Sequence, residues 1–180
     1  MNEKIIRKRK LFFSWQDGKE EVWLGEMSRQ GLHLIEPGQF GRFLFAEGPA
    51  KEYSYRLDYN RNKLPEDYLQ IIRDAGWEYL GKSSGWHYWR KEINSGKVPE
   101  LFTDRESKVQ KYQRLLVGYI TSVPAFLYII GLAMFKKFPG RHPLWFVVLF
   151  ICLFMTWILF AAMNAIMIQL RINEIRKNKG

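Results

Sequence analysis

Leu115-Leu116-Val117-Gly118-Tyr119-Ile120-Thr121-Ser122-Val123-Pro124-Ala125-Phe126-Leu127-Tyr128-Ile129-Ile130-Gly131-Leu132-Ala133-Met134-Phe135 runs for 21 residues without a charge. A second uncharged run of 25 residues follows from Leu144 to Ile168, with Thr156 and Asn164 as its polar members. Crossing ~30 Å of hydrocarbon at ~1.5 Å per residue takes about 20 apolar residues in a helix. Both runs are long enough. Between them, Lys136-Lys137-Phe138-Pro139-Gly140-Arg141-His142-Pro143 has room only to turn the chain. The expectation is a two-helix transmembrane hairpin over 115–168, with antiparallel spans 115–135 and 144–168. A buried soluble hairpin is the alternative, and soluble helices rarely run this long uncharged.

Basic residues set the expected orientation. Arg105, Lys108, Lys111 and Arg114 precede the first span, and Arg171, Arg176, Lys177 and Lys179 follow the second. Eight on that side outweigh Lys136, Lys137 and Arg141 in the turn. Both termini are therefore expected in the cytoplasm, with 169–180 a basic cytoplasmic tail of a two-span protein of the cell membrane. The apolar stretch Leu11-Phe12-Phe13 is too short for the core of a cleavable signal, in keeping with that orientation.

The net charge of +10 is unevenly spread. Residues 1–10 carry five basic residues and Glu3; residues 11–114 carry 16 basic and 16 acidic residues; residues 115–180 carry seven basic and one acidic. The excess lies at the N-terminus and beside the apolar runs, where it attracts anionic lipid headgroups. A nucleic-acid-binding domain would carry the charge on its own face, so nucleic acid is excluded as the expected partner. The one cysteine, Cys152, falls within the second run and can form no intramolecular disulfide.

The segment ahead of the hairpin reads as a doubled unit. Val22 to Leu34 matches Asp67 to Tyr79 at an offset of 45, pairing Trp23 with Tyr68, Leu24 with Leu69, Met27 with Ile72 and Gly31 with Gly76. The same offset sets Arg42-Phe43-Leu44 on His87-Tyr88-Trp89. Each unit reads strand, helix, strand, strand. The first strand is expected at Lys10–Ser14. Asp17, with Glu20 three residues on, is expected to cap the first helix, whose stripe is Trp23, Leu24, Met27 and Gly31. Strands follow at 32–36 and 42–45, around Pro37-Gly38. Tyr53 to Tyr59 alternates apolar and polar and opens the second unit. Pro65 begins the second helix and Gly76 ends it. Strands at 77–80 and 86–91 close the unit. The fold class expected is α+β: tandem βαββ units forming one antiparallel sheet with two helices on one face, over residues 1–102, in two repeats of about 45 residues. Thr103-Asp104-Arg105-Glu106 is a capping box. It starts a connecting helix, 103–114, that no Gly or Pro interrupts before Gly118.

These landmarks resemble an uncharacterised family of Gram-positive bacterial membrane proteins, a domain of unknown function. The matching residues are Trp23-Leu24, Glu26-Met27, Gly31-Leu32-His33-Leu34, Tyr55-Arg56-Leu57-Asp58-Tyr59, Ala75-Gly76-Trp77-Glu78, Trp86-His87-Tyr88-Trp89-Arg90, Asp104, Ser107-Lys108 and Tyr112. They cover roughly residues 8–114. The resemblance implies membrane helices after the domain and genes often placed beside PadR-type regulators. It implies no activity, so no catalytic residue is carried over.

The residues themselves offer little chemistry. His33 and His87 lie just inside strands of different units, and His142 lies in the membrane turn. Two histidines without a cysteine partner are a poor metal set. Ser14, Ser28, Ser54, Ser83, Ser84 and Ser107 lack the context of an activated nucleophile. Lys82-Ser83-Ser84-Gly85 lacks the glycine pattern and following helix of a phosphate loop and reads as a hairpin turn. Tyr53, Tyr55 and Tyr59 share one strand face, and Trp86 and Tyr88 another. They are either an aromatic platform or, as is commoner, core. Arg56 and Asp58 face the other way and are expected to pair with charges on neighbouring strands. Asn164, with Ala161 and Ala165, reads as a helix-packing step. No catalytic, cofactor-binding or metal residue is assigned.

The function expected is that of a membrane-anchored cytoplasmic binding or regulatory module without enzymatic activity. An accessory or scaffold subunit of a membrane complex is the first alternative, and an enzyme acting on a membrane-borne substrate the second. The partners expected are the lipid bilayer and a protein, which includes a second copy of this chain.

Overall fold

The structure is a computed structural model that describes residues 4–93, 101, 105–137 and 144–177. The first element is β1 (Ile5–Arg9), followed by α1 (Asp17–Arg29), β2 (Leu32–Pro37) and β3 (Arg42–Glu47). The order then recurs as β4 (Tyr53–Tyr59), α2 (Glu66–Asp74), β5 (Glu78–Ser83) and β6 (Trp86–Glu92). Two long helices end the chain, α3 (Arg105–Lys137) and α4 (Leu144–Lys177). Residues Met1–Lys111 form one compact unit and Tyr112–Gly180 another.

The α+β class and the βαββ order are as expected from the sequence. In place of one sheet, the strands form two antiparallel three-stranded sheets, ordered β1-β3-β2 and β4-β6-β5. The strand order is thus the same in both halves. Each also has a register shift at the corresponding place, between Leu34 and Glu36 and between Tyr79 and Gly81. The offset of 45 holds to that point and becomes 44 in the last strand. Leu34 pairs with Phe45, and Tyr79 with Trp89. The cause is turn length: three residues, Gln39 to Gly41, separate Gly38 from Arg42, whose carbonyl accepts its N–H, whereas two, Ser84-Gly85, separate Ser83 from its partner Trp86. Ser84 and Gly85 both have positive φ, 50° and 89°, as the tightest hairpins require. Lys82-Ser83-Ser84-Gly85 is therefore a hairpin turn.

The first strand also lies elsewhere than expected. It is the basic stretch Ile5–Arg9, paired antiparallel with β3 from Ile5 opposite Ala46 to Arg9 opposite Arg42. Lys10–Ser14 is not a strand. Only Lys10 continues the pairing, its N–H bonding the Gly41 carbonyl at 2.8 Å. Charged side chains suit an edge strand, which must not recruit another chain.

The expected packing of both helices on one face gives way to packing on both. Adjacent residues of β6 point to opposite sides of the sheet. Tyr88 turns to α1, its hydroxyl donating to Glu20 Oε1 at 2.7 Å. Trp89 turns to α2, in a cluster with Leu64, Leu69, Ile72 and Trp77. Trp23 of α1 packs edge-on against Phe43 and Phe45, at 5.0 and 5.8 Å. Gly31 and Gly76 end the two helices at φ 77° and 83°. These left-handed conformations cost glycine little.

In the second unit, Phe126 of α3 stacks on Trp157 of α4 with ring centres 5.0 Å apart. Thr121 and Thr156 bond carbonyls four residues back, at 2.9 and 2.8 Å, and Ser122 one three residues back at 2.7 Å, so these three hydroxyls are satisfied within their own helices. Asn164 Nδ2 likewise donates to the Phe160 carbonyl at 2.7 Å. The expected tail is helical as far as Lys177, part of α4. Met1 to Glu3, Thr103 and Asp104 of the capping box, residues 138–143 of the turn with His142, and 178–180 lie outside the described residues.

Candidate functional site

Two places in the first unit gather polar side chains. The first is buried. Asp17, Glu20 and Glu21 lie at the start of α1, where an unpaired helix N-terminus favours negative charge. The expected cap is not made: Gln16 occupies the cap position, and no side chain bonds the helix end. The Asp17 carboxylate instead accepts from Lys111 Nζ at 2.6 Å, with both side chains buried. Lys111 Nζ also donates to the Leu57 carbonyl at 3.2 Å. Glu21 Oε1 accepts from the Leu57 N–H at 2.8 Å, and Arg56 Nη1 lies 3.5 Å from Glu21 Oε2. β4 is an edge strand of its sheet. Glu21 and Lys111 therefore take both main-chain groups of Leu57 at that edge, which would otherwise be open to another strand.

Burial pushes the Glu20 carboxyl up to about 7, and the nearby charge of Asp17 adds to the rise while the Tyr88 hydroxyl opposes it. Burial likewise lifts Glu21 to about 7, with Lys111 the strongest opposing influence. Tyr88 is held well above the usual phenol range by burial and by Glu20, so its hydroxyl stays protonated and donates. A carboxyl poised near neutrality suits acid–base work, but each of these side chains has a partner within the fold.

The second place is a cleft of about 400 Å³ between β2 and β5, at the seam of the two sheets. His33, Glu47, Tyr53, Glu78 and Arg90 are among its walls, with Ile35 and Leu80 as apolar surface. Arg90 is fixed by Glu78 Oε2, at 2.6 Å from Nη2 and 3.0 Å from Nε, and its guanidinium stands 4.7 Å over the Tyr53 ring. Nη1 reaches the Leu34 carbonyl at 3.4 Å across the seam.

The residues singled out in the sequence fall as follows. His33 Nε2 donates to the Pro49 carbonyl at 2.8 Å, which leaves Nδ1 an acceptor, buried and without a partner. His87 donates from Nε2 to the Asn60 carbonyl at 3.1 Å and accepts at Nδ1 from the Tyr79 hydroxyl at 3.0 Å. Burial lowers its basicity. The two histidines thus bond different groups, and His33 also packs edge-on against Tyr53 of the other sheet at 5.4 Å. Among the described residues, no three His, Cys, Asp or Glu side chains gather as a metal set. Ser28 and Tyr55 share a 2.7 Å hydrogen bond, and Ser83 Oγ donates to the Gly38 carbonyl at 2.9 Å. Tyr55, Tyr59, Trp86 and Tyr88 are core, and only Tyr53 of the aromatic set lines the cleft. Arg56 meets Glu21 on α1 and also donates to the Tyr55 carbonyl of its own strand at 2.8 Å, and Asp58 accepts from the hydroxyl of Tyr68 on α2 at 3.4 Å. The acid cluster escaped the sequence reading. Its signal was there, since Glu20 lies on the stripe of Leu24 and Met27 at helical spacing.

Fold and sites together define an α+β domain followed by two helices long and apolar enough to cross a membrane, over Glu106–Leu132 and Val147–Lys177. The chain belongs to the family described as protein of unknown function (DUF2812), which matches residues 16–123. The match takes in the acid cluster, the cleft and Lys111, and runs on into the apolar part of α3. No curated protein and no solved structure matches the chain.

Proposed function

We propose that the chain is a membrane-anchored regulatory module without enzymatic activity, whose cytoplasmic domain binds a ligand or protein and signals through α3. The observation that carries this reading is the double role of α3. Its Lys111 is bonded to Asp17 inside the domain, and the same helix continues unbroken through the uncharged run to Lys137. A helix transmits orientation where a flexible linker does not. The seam cleft supports a binding role, because it juxtaposes an aromatic face with polar groups of both signs. The PadR-type neighbourhood and Gram-positive origin implied by the resemblance favour regulation. Both termini lie in the cytoplasm on this reading, and the two halves of the domain descend from one βαββ unit.

The test inserts Gly-Gly-Ser after Arg114 in the full chain. Membrane fractionation should be unchanged, while co-purification of the partner captured from native membranes is lost. An insertion that leaves capture intact would replace signalling with simple anchoring and favour the scaffold reading.

A further inference from the structure

The end of the β1-β3-β2 sheet that holds the β1–α1 loop and the β2–β3 turn exposes apolar side chains. Leu11 is 76% exposed, Phe40 74% and Phe13 49%. The first two are neighbours. The Lys10 N–H bonds the Gly41 carbonyl at 2.8 Å, and a Cβ built on Gly41 would stand 2.9 Å from Leu11 Cδ2. Phe40 holds a positive φ of 55°, unusual for a bulky residue, at the apex of the turn. Phe12 turns inward to Trp23, 5.6 Å away, so Leu11 and Phe13 on either side of it turn out. Phe13 stacks on Trp15 at 4.7 Å.

The charge at the point of this tip has one sign. Lys8, Arg9, Lys10 and Arg42 fall within residues 8–16 and 37–43, and those segments hold no acidic residue; Glu36 lies one rung further back, level with Arg7 and opposite Leu44. Arg9 and Arg42 face each other as the last pair of the β1–β3 ladder, both exposed. Elsewhere in this sheet a basic side chain does meet an acid, as Lys4 meets Glu47 at 2.9 Å. Isolated exposed apolar residues are ordinary. A leucine, two phenylalanines and a tryptophan at one basic tip are the combination that enters a lipid–water interface, rings in the headgroup layer and cations on lipid phosphates. An acidic protein surface would satisfy the cations but would have to bury rings presented by two separate turns. A bilayer takes them in any arrangement.

We infer that this tip, with Leu11 and Phe40 at its point and Arg9 and Arg42 at its rim, docks on the surface of an anionic lipid bilayer. The inference rests on the membrane reading of α3 and α4. It adds a second attachment, one that depends on lipid charge and so can be released while the chain stays anchored.

The test uses the full chain in vesicles, with an environment-sensitive fluorophore on a single cysteine. The native Cys152 reports on α4. Phe40→Cys in a Cys152→Ser background reports on the tip, Leu11→Cys repeats the measurement on the adjoining loop, and Ile71→Cys, on the exposed side of α2, is the aqueous control. In vesicles containing phosphatidylglycerol, the position-40 probe should show blue-shifted emission, quenching by nitroxide lipid and loss of quenching by iodide, as the Cys152 probe does. In pure phosphatidylcholine, or with Arg9→Glu and Arg42→Glu together, the position-40 probe should return to the iodide-quenched state of position 71 while Cys152 does not change. A position-40 probe that iodide reaches in both lipids, with Cys152 in lipid, overturns the inference and leaves the membrane reading intact. A position-40 probe shielded from iodide yet unquenched by lipid points to a protein on the tip and also overturns it. Lipid quenching at position 40 that ignores lipid charge overturns the assignment to an anionic surface. If the Cys152 probe itself lies in water, the membrane reading fails first.

Discussion

Lys111 Nζ lies 2.6 Å from Asp17 Oδ2, 94 positions away in the chain, and both side chains are buried. The pair joins the start of α1 to the first turns of α3. It also supplies a cation to the free edge of β4, where Glu21 supplies the anion. Removing one partner strands a buried charge, which costs far more than the pair itself is worth. Lys111→Met should therefore destabilise the protein by about 3 kcal/mol or more. Asp17→Asn combined with Lys111→Met should cost clearly less than the sum of the two single changes. Denaturant unfolding of the detergent-solubilised chain, followed by tryptophan fluorescence, measures all three. Additive losses would show that the two side chains act independently.

The acid cluster sets a direction for pH. Glu20 and Glu21 have folded-state values of about 7 against 4.5 for an ordinary glutamate, so between those pH values the folded chain holds more protons than the unfolded one. Stability contributed by the two carboxyls is fully present at acid pH, is lost as pH rises towards 7, and levels off above it. Glu20→Gln keeps an oxygen for the Tyr88 hydroxyl and removes the charge. At about pH 8 it should stabilise the chain by on the order of 1–3 kcal/mol, and at about pH 4 it should be close to neutral. Melting temperatures of both proteins across that range give the answer. A Glu20→Gln protein less stable than the parent at alkaline pH would show that the ionised carboxylate is favoured in the fold.

Periodicity made some of this legible and left the rest hidden. The strand Tyr53–Tyr59 was fixed by its alternation, the two helix ends by Gly31 and Gly76, and the long helices by the absence of charge. The first strand was missed because three of its five residues, Arg7, Lys8 and Arg9, are basic, and an edge strand paired on one side needs no apolar face. The single sheet was expected because β2 and β5 read as ordinary strands. Nothing local in the sequence says that their edges meet at a cleft and not in a ladder. The acid cluster was hidden by the ambiguity of its own signal. Asp17 and Glu20 at a helix start fit a cap as well as a buried ion pair, and the partner that decides between them lies 94 residues on.

The proposed orientation of the two long apolar helices is testable directly. Eight basic residues flank the outer ends of the two runs and three lie in the turn between them, so the outer ends should face the cytoplasm. Reporter fusions after Gly180 and after Gly140 should be active on opposite sides, the first inside and the second outside. A C-terminal reporter found outside the cell would reverse the proposed topology.

The two glycines that end α1 and α2 have nearly the same φ, 77° and 83°, yet they should not respond alike to substitution. A left-handed conformation alone costs a non-glycine residue about 1–3 kcal/mol, more for a β-branched one. At Gly76 that is the main cost, because an added Cβ would meet only the Lys91 side chain, at 3.4 Å, and a lysine chain can move aside. At Gly31 the added Cβ would collide with the Gly48 carbonyl, main chain that cannot yield alone. The Gly48 N–H bonds the Gly31 carbonyl at 2.9 Å, so displacing one strand end breaks the contact that holds the other. Gly31→Val should therefore lower the melting temperature well beyond Gly76→Val, and Gly31→Ala should still cost more than Gly76→Ala. Thermal melts of the four variants decide it. Equal losses at the two positions would mean that backbone conformation alone sets the cost and that the approach of Gly48 to Gly31 contributes nothing.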